Sequence, residues 1–409
     1  MTLRIRIALV VAMVAAIGAG LFALRKTKQA ASSADVLDAL PRDSFLVVTV
    51  DVASLRASPL AQPLAGGASG SLLGLAHLSE VCGFDPFARV KQLALAVPEA
   101  GENGDFGIAA VGDIARDDFV ACAQKIIAGR GGIPKVSARG TFTLIEDGAS
   151  ASDSAAKAAP QIALREGGPL LVGRGAWLQA MIDVAEGRQG GLRDQEGASE
   201  APPRRGQQVG AHLALRSALV ATKARAPTVM LTAILPKALR ERLKREMGAE
   251  ASAEGGGNSA MAGVLGVETA GIAMMAGQAG QESDLAAELH CETEDACALV
   301  KTLLEKKRLA LSQDFGARLI GLGPLIDSLT VAVHDTTLSA TTHAPTDQLA
   351  AALEKVLKMR AESAKDAAHD ARMSSGATRD KLAATGPSGA PLHVDEALGG
   401  KSPARDGGH

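Results

Sequence analysis

Leu93-Ala-Leu-Ala-Val97, followed by a turn through Glu99-Ala-Gly101-Glu102 and then Asp105-Phe-Gly-Ile-Ala-Ala-Val111, is the stretch from which the fold is read. Two short runs with β-strand alternation flank a glycine-bearing turn, which is the pattern of a hairpin. An amphipathic helix over Asp117–Ala128 follows, with Phe119, Ala123, Ile126 and Ile127 on one side. The same order recurs at Ile272-Ala-Met-Met-Ala276, a turn through Gln278-Ala-Gly280-Gln281, Asp284-Leu-Ala-Ala-Glu-Leu289 and a helix over Glu294–Lys306. From Leu93/Ile272 to Asp105/Asp284 the two stretches align without a gap.

Identity in this window is confined to Ala94/Ala273, Ala100/Ala279, Gly101/Gly280 and Asp105/Asp284. Phase is the stronger argument. Phe106, Ile108 and Ala110 fall opposite Leu285, Ala287 and Leu289, so both second strands are apolar on one face. The match extends outward. Phe45–Val52 is a β-branched, nearly continuous apolar run, which suggests a strand buried on both faces. Val209–Leu215 reads as its counterpart. A hairpin about Gly167-Gly168 with a helix from Ala176 to Ala185 matches a hairpin about His334-Asp335 with a helix after Pro345-Thr346. The expected fold class is therefore α+β: two tandem repeated modules, each a mostly antiparallel sheet with helices packed on one face. The expected division is 1–28 anchor, 29–38 spacer, 39–187 first module, 188–208 linker, 209–360 second module and 361–409 disordered tail.

Arg4 and Arg6 precede an uncharged apolar run from Ile7 to Leu24, and Arg25, Lys26 and Lys28 follow it. At ~1.5 Å per residue this run spans roughly 27 Å, close to a bilayer core. It reads as an uncleaved transmembrane anchor, with a cleaved signal peptide as the alternative. Cys82, Cys122, Cys291 and Cys297 make an even count, which suits disulfides outside the cytoplasm. Four cysteines allow three pairings. One bridge within each half, Cys82–Cys122 and Cys291–Cys297, is the arrangement expected. A periplasmic location for the bulk of the chain follows.

Composition removes some classes. The net charge of −2 lacks the cationic excess of a nucleic-acid binder, and the chain holds no Tyr, one Trp and eight Phe, leaving few rings for bases to stack on. The interior must be aliphatic. His290-Cys291-Glu-Thr-Glu-Asp-Ala-Cys297 gathers possible metal ligands, but His290 and Cys291 point to opposite faces of a strand, so a local disulfide is the better reading. Thr293, Glu294 and Asp295 suit the start of a helix. Gly173-Arg-Gly175 lacks the third glycine of a dinucleotide loop, because Leu178 holds that position. Neither a phosphate-binding Gly-x-x-x-x-Gly-Lys loop nor a Gly-x-Ser-x-Gly elbow occurs. No catalytic, cofactor or metal residues are assigned. Lys237, Arg240, Lys244 and Arg245 on the helix bearing Leu239 and Leu243 form a candidate membrane-surface contact.

The segment Leu40-Pro-Arg-Asp-Ser-Phe-Leu-Val-Val-Thr-Val-Asp-Val-Ala-Ser-Leu-Arg-Ala-Ser-Pro-Leu60, with Cys82-Gly-Phe-Asp-Pro86, resembles uncharacterised bacterial secreted or membrane-anchored proteins. The resemblance covers about fifty residues and implies export and repeat architecture, with no activity attached. The expected function is a non-enzymatic cell-envelope protein that binds or scaffolds, with the membrane and an envelope protein as partners. A carrier of a lipid or other apolar ligand is the alternative, and a hydrolase or metalloenzyme the third reading. The oligomeric state is left open.

Overall fold

Strand β1 (Ser44–Asp51) pairs on both sides, antiparallel to β2 (Val90–Pro98) and antiparallel to β8 (Val229–Ile234). That second pairing corrects the expected fold. Leu46, Val48 and Val50 lie opposite Ala233, Leu231 and Val229, so the two halves share backbone hydrogen bonds. They form one twelve-stranded sheet in the order β11-β12-β10-β9-β8-β1-β2-β3-β7-β6-β5-β4, not two sheets in tandem. The remaining strands are β3 (Gly107–Gly112), β4 (Pro134–Arg139), β5 (Phe142–Asp147), β6 (Gln161–Leu164), β7 (Leu170–Gly173), β9 (Val267–Met275), β10 (Glu282–Cys291), β11 (Thr330–His334) and β12 (Thr337–Pro345). All of the strand pairs are antiparallel.

This computed structural model describes residues 35–65, 75–98, 105–148, 159–193, 211–221, 225–242 and 263–360, with 245 and 362. The expected anchor, the turn at 99–104, most of the linker and all but one residue of the expected tail lie outside these residues. Among the described residues no helix is long and apolar enough to cross a membrane.

The helices used below are α1 (Leu75–Cys82), α2 (Arg116–Gly129), α3 (Gly175–Ala185), α4 (Ala211–Ala221), α5 (Glu294–Gln313), α6 (Phe315–Leu319), α7 (Gly323–Asp327) and α8 (residues 346–360). Strand alternation sends them to two faces, where helices on one face were expected. Val47, Ala94, Ala96 and Ala109 pack with Trp177, Leu178 and Met181 of α3. Their neighbours Val48, Val50 and Leu95 point the other way and pack with Leu349 and Ala350 of α8. Helix α4 lies on the α3 face, where Leu215 and Leu219 meet Met230, Ala273 and Met275. Helices α2 and α5 lie on the α8 face, against Ile145 and Leu164 and against Val267 and Leu338.

Two glycines let helices approach the sheet closely. A Cβ on Gly271 would stand 2.7 Å from Leu219 Cδ1, and one on Gly107 would stand 2.8 Å from Trp177 Nε1. Under each helix the strand gives up its side chain.

Helix α4 stands where a strand was expected at Val209–Leu215, of which residues 209 and 210 lie outside the described residues. Its buried residues are His212, Leu215 and Leu219, spaced three and four apart, and Ala and Leu are strong helix formers. The strand that belongs beside β1 is β8, further along the chain, and it passes unread in the sequence, as does β4. The spacer and linker are also less separate than composition suggests. Val36 and Leu37 are buried in a 3-10 turn. Gly191 bridges to Pro41, Leu192 is buried, and Arg193 pairs with Asp35 and Asp38.

Candidate binding surface

Polar side chains under α4 form the first cluster to consider. His212 is 2% exposed, and both its ring nitrogens are engaged. Nε2 lies 2.8 Å from the Ser44 carbonyl, which only accepts, so Nε2 carries the proton and donates. Nδ1 then accepts from the Thr232 hydroxyl at 2.8 Å. Burial, opposed by the bond to Ser44 and assisted by nearby Arg216, pushes the His212 pKa from 6.5 down to about 4. One helical turn on, Arg216 donates to Thr49 Oγ1 at 2.8 Å. Burial lowers its pKa to about 10, against the pull of Asp35, and Arg193 lowers it further. These contacts bolt α4 across the β1/β8 seam. His212 is sealed from solvent and is no base for an external substrate.

The same shift predicts a pH dependence. The folded pKa of about 4 lies below the ordinary 6.5, so the unfolded chain binds the proton more tightly. His212's contribution is present above pH 6.5 and is lost as pH falls toward 4. The shift corresponds to about 3 kcal/mol. Urea unfolding at both ends of this window should show that loss in the native chain, over and above the pH response of His212→Asn. Equal pH responses in the two chains would refute the assignment.

Both expected disulfides are present, Cys82–Cys122 and Cys291–Cys297. The first ties the C-terminus of α1 to α2. The second closes the β10-to-α5 junction, where Thr293 caps the helix by accepting from the Ala296 amide at 3.2 Å. His290 turns away and meets Thr337 and Glu288 at 3.1 and 3.0 Å. Among the described residues no group of His, Cys, Asp and Glu could hold a metal ion. Gly173-Arg-Gly175 is a strand-to-helix turn, with β7 antiparallel to both β3 and β6, so no βαβ unit is present there.

The basic helix expected at a membrane is divided. Arg240 is 6% exposed and donates to Glu292 at 3.0 Å and to Glu268 at 3.2 Å. Its guanidinium joins this helix to β9 and to the end of β10, and is withdrawn from any surface contact. Lys237 and Arg245 are exposed, and Lys244 lies outside the described residues.

A different corner carries the exposed apolar surface. Helix α5 begins on the sheet, with Ala296, Cys297 and Val300 buried, and then runs past it. From Glu305 to Leu311 every residue is exposed. Leu309 is 60% exposed, Phe315 78% and Leu319 63%, and Leu311 is also exposed. Lys306, Lys307 and Arg308 precede them, and none pairs with an acid among the described residues.

The corner is nevertheless firmly built. Asp314 ends α5 and starts α6, where its carboxylate accepts from the Ala317 amide at 3.0 Å. Arg318 donates to the Ser312 carbonyl at 2.7 Å and to Asp327 at 3.1 Å. Lys355 of α8 donates to the Leu319 carbonyl at 2.9 Å. Between α6, α7 and α8 lies a cleft of about 490 Å³, lined among others by Arg318, Ile320, Pro324, Gln348 and Lys355.

No family model matches the chain, and no curated protein matches it. Among solved structures it is similar to two crystal forms of TP0453. Form I is 9% identical, with a TM-score of 0.40, over 79% of this chain and 98% of that one. Form IV is 11% identical, with a TM-score of 0.38, over 79% of this chain and 97% of that one.

Sequence reading passes over the α5–α6 corner because the expected helix stops at Lys306, short of Leu309, Leu311, Phe315 and Leu319, whereas α5 runs on to Gln313. The available signal is the triplet Lys306-Lys-Arg308, which interrupts the apolar face just where the sheet ends.

Proposed function

We propose that the chain is a non-enzymatic binding protein of the cell envelope, held at a membrane by its N-terminal residues and using the α5–α6 corner as its working surface. One observation carries this reading: large apolar side chains stand in solvent on a corner that is otherwise well braced. Singly exposed apolar residues are ordinary, whereas four large ones within the eleven residues 309–319 point to an interaction site. The apolar run Ile7–Leu24 and the two disulfides support the compartment. A second reading, carriage of a small apolar or acidic ligand, is favoured by the adjacent cleft, whose volume lies in the range of ligand sites.

Photocrosslinking in cells tests the proposal. A photoreactive residue replacing Phe315 should form adducts that the same residue replacing Val136, exposed on the opposite edge strand, does not. Equal or absent adducts at the two positions would remove the corner as a working surface. Native mass spectrometry addresses the carrier reading, which requires a co-purifying small mass.

A further inference from the structure

The corner's occupant can be argued from its charge. Between residues 301 and 320 there are five Lys or Arg and two acids. Both acids are engaged within the protein: Glu305 pairs with Lys301 at 3.8 Å, and Asp314 caps α6. Lys306, Lys307 and Arg308 therefore project their charge without a partner among the described residues. Directly beyond them stand Leu309, Leu311, Phe315 and Leu319. Cationic side chains next to exposed Leu and Phe on a helix end are what an anionic lipid surface recognises. The apolar groups enter the acyl boundary while the ammonium and guanidinium groups meet lipid phosphates.

A second copy of this chain fits less well. A self-complementary interface centred here would bring two cationic triplets together. Apolar burial alone would equally suit a protein partner, but it leaves the three unpaired cations without a role.

We infer that the α5–α6 corner docks on the surface of an anionic bilayer, with Phe315 and Leu319 inserted and Lys306, Lys307 and Arg308 on the headgroups. This rests on the corner being the working surface. It assigns a second membrane contact, separate from the N-terminal apolar run, and it replaces the basic helix at 237–242 as the surface that faces lipid.

The full chain can be tested, provided the readout reports the corner and not the N-terminus. In Phe315→Trp, an indole is placed at the proposed insertion point, and the native Trp177 is buried and serves as the internal reference. Vesicles carrying brominated acyl chains quench only an indole that reaches the acyl layer. With vesicles of phosphatidylglycerol and phosphatidylcholine, the F315W chain should be quenched well beyond the native chain. With phosphatidylcholine alone the excess should be small, and added salt should reduce it.

Lys306→Gln, Lys307→Gln and Arg308→Gln together, in the F315W chain, should weaken the anionic-vesicle response by about 100-fold in lipid concentration, at roughly five-fold per cation. These side chains are exposed, so the same three changes in the native background should not move the denaturant midpoint read from Trp177. Equal quenching in the two vesicle types, or no excess over the native chain, would overturn the inference. Photocrosslinks from position 315 to protein, without quenching, would overturn the lipid occupant while leaving the corner as a binding surface.

Discussion

Ala273→Asp should lower the denaturant midpoint reported by Trp177, although the two residues lie in opposite halves of the chain. Ala273 is fully buried in β9 beneath α4, between Met230 and Ala286. An aspartate there has no partner among the surrounding apolar side chains, and the cost is about 4 kcal/mol or more. Trp177 is the chain's one tryptophan and sits on α3 over the first half of the sheet. If each half were its own module, Trp177 would not sense the change. Because β1 and β8 exchange backbone hydrogen bonds in register from Leu46↔Ala233 to Val50↔Val229, unfolding one half strips the partner strand from the other. Tryptophan fluorescence and the exchange of β10 amides should therefore shift together. A Trp177 midpoint that stays fixed while the β10 amides lose protection would show that the seam does not couple the halves.

The second large effect concerns Cys82–Cys122. The bridge spans 40 residues, and in the chain-entropy account closing a loop of that size is worth about 4 kcal/mol. The Cys291–Cys297 bridge spans 6 residues and is worth about 2 kcal/mol on the same account. Replacing Cys82 and Cys122 together with Ser should cost clearly more stability than replacing Cys291 and Cys297 together, measured by urea unfolding without reductant. The reverse order would mean that the short bridge holds α5 on β10 through packing that loop entropy does not describe. Thiol labelling of denatured, unreduced protein should find none of the four cysteines reactive.

Much of the local structure is legible because it follows from period and end signals. The run Phe45–Val52 reads as a strand buried on both faces, and Val47 and Val48 do enter different clusters, one on each face. Thr293 reads as a helix cap and caps α5. Of the three pairings open to the four cysteines, the expected one, a bridge within each half, is the one formed. Strand β8 is missed, although Pro227 and Pro236 bound a short, nearly continuous apolar run, Val229–Ile234, of strand length. The alternation at Val209–Leu215 looks equally good over seven residues, and only the continuation to Leu219 shows a helical spacing. The α5–α6 corner is missed because the expected helix ends at Lys306, seven residues short of Gln313. Whether anything covers the last turns of that helix depends on tertiary packing, which apolar spacing does not report.

The sequence by itself determines the strand–turn–strand–helix units and their apolar faces, because these depend on residues close along the chain, and it narrows the four cysteines to three pairings. Only the tertiary structure decides that the units join into one sheet and that α5 overruns it. Each strand edge carries backbone N–H and C=O groups that must be satisfied, but nothing in a strand's own pattern names the strand that will satisfy them. β1 meets β8 across more than 170 residues, and that pairing turns two expected modules into one body.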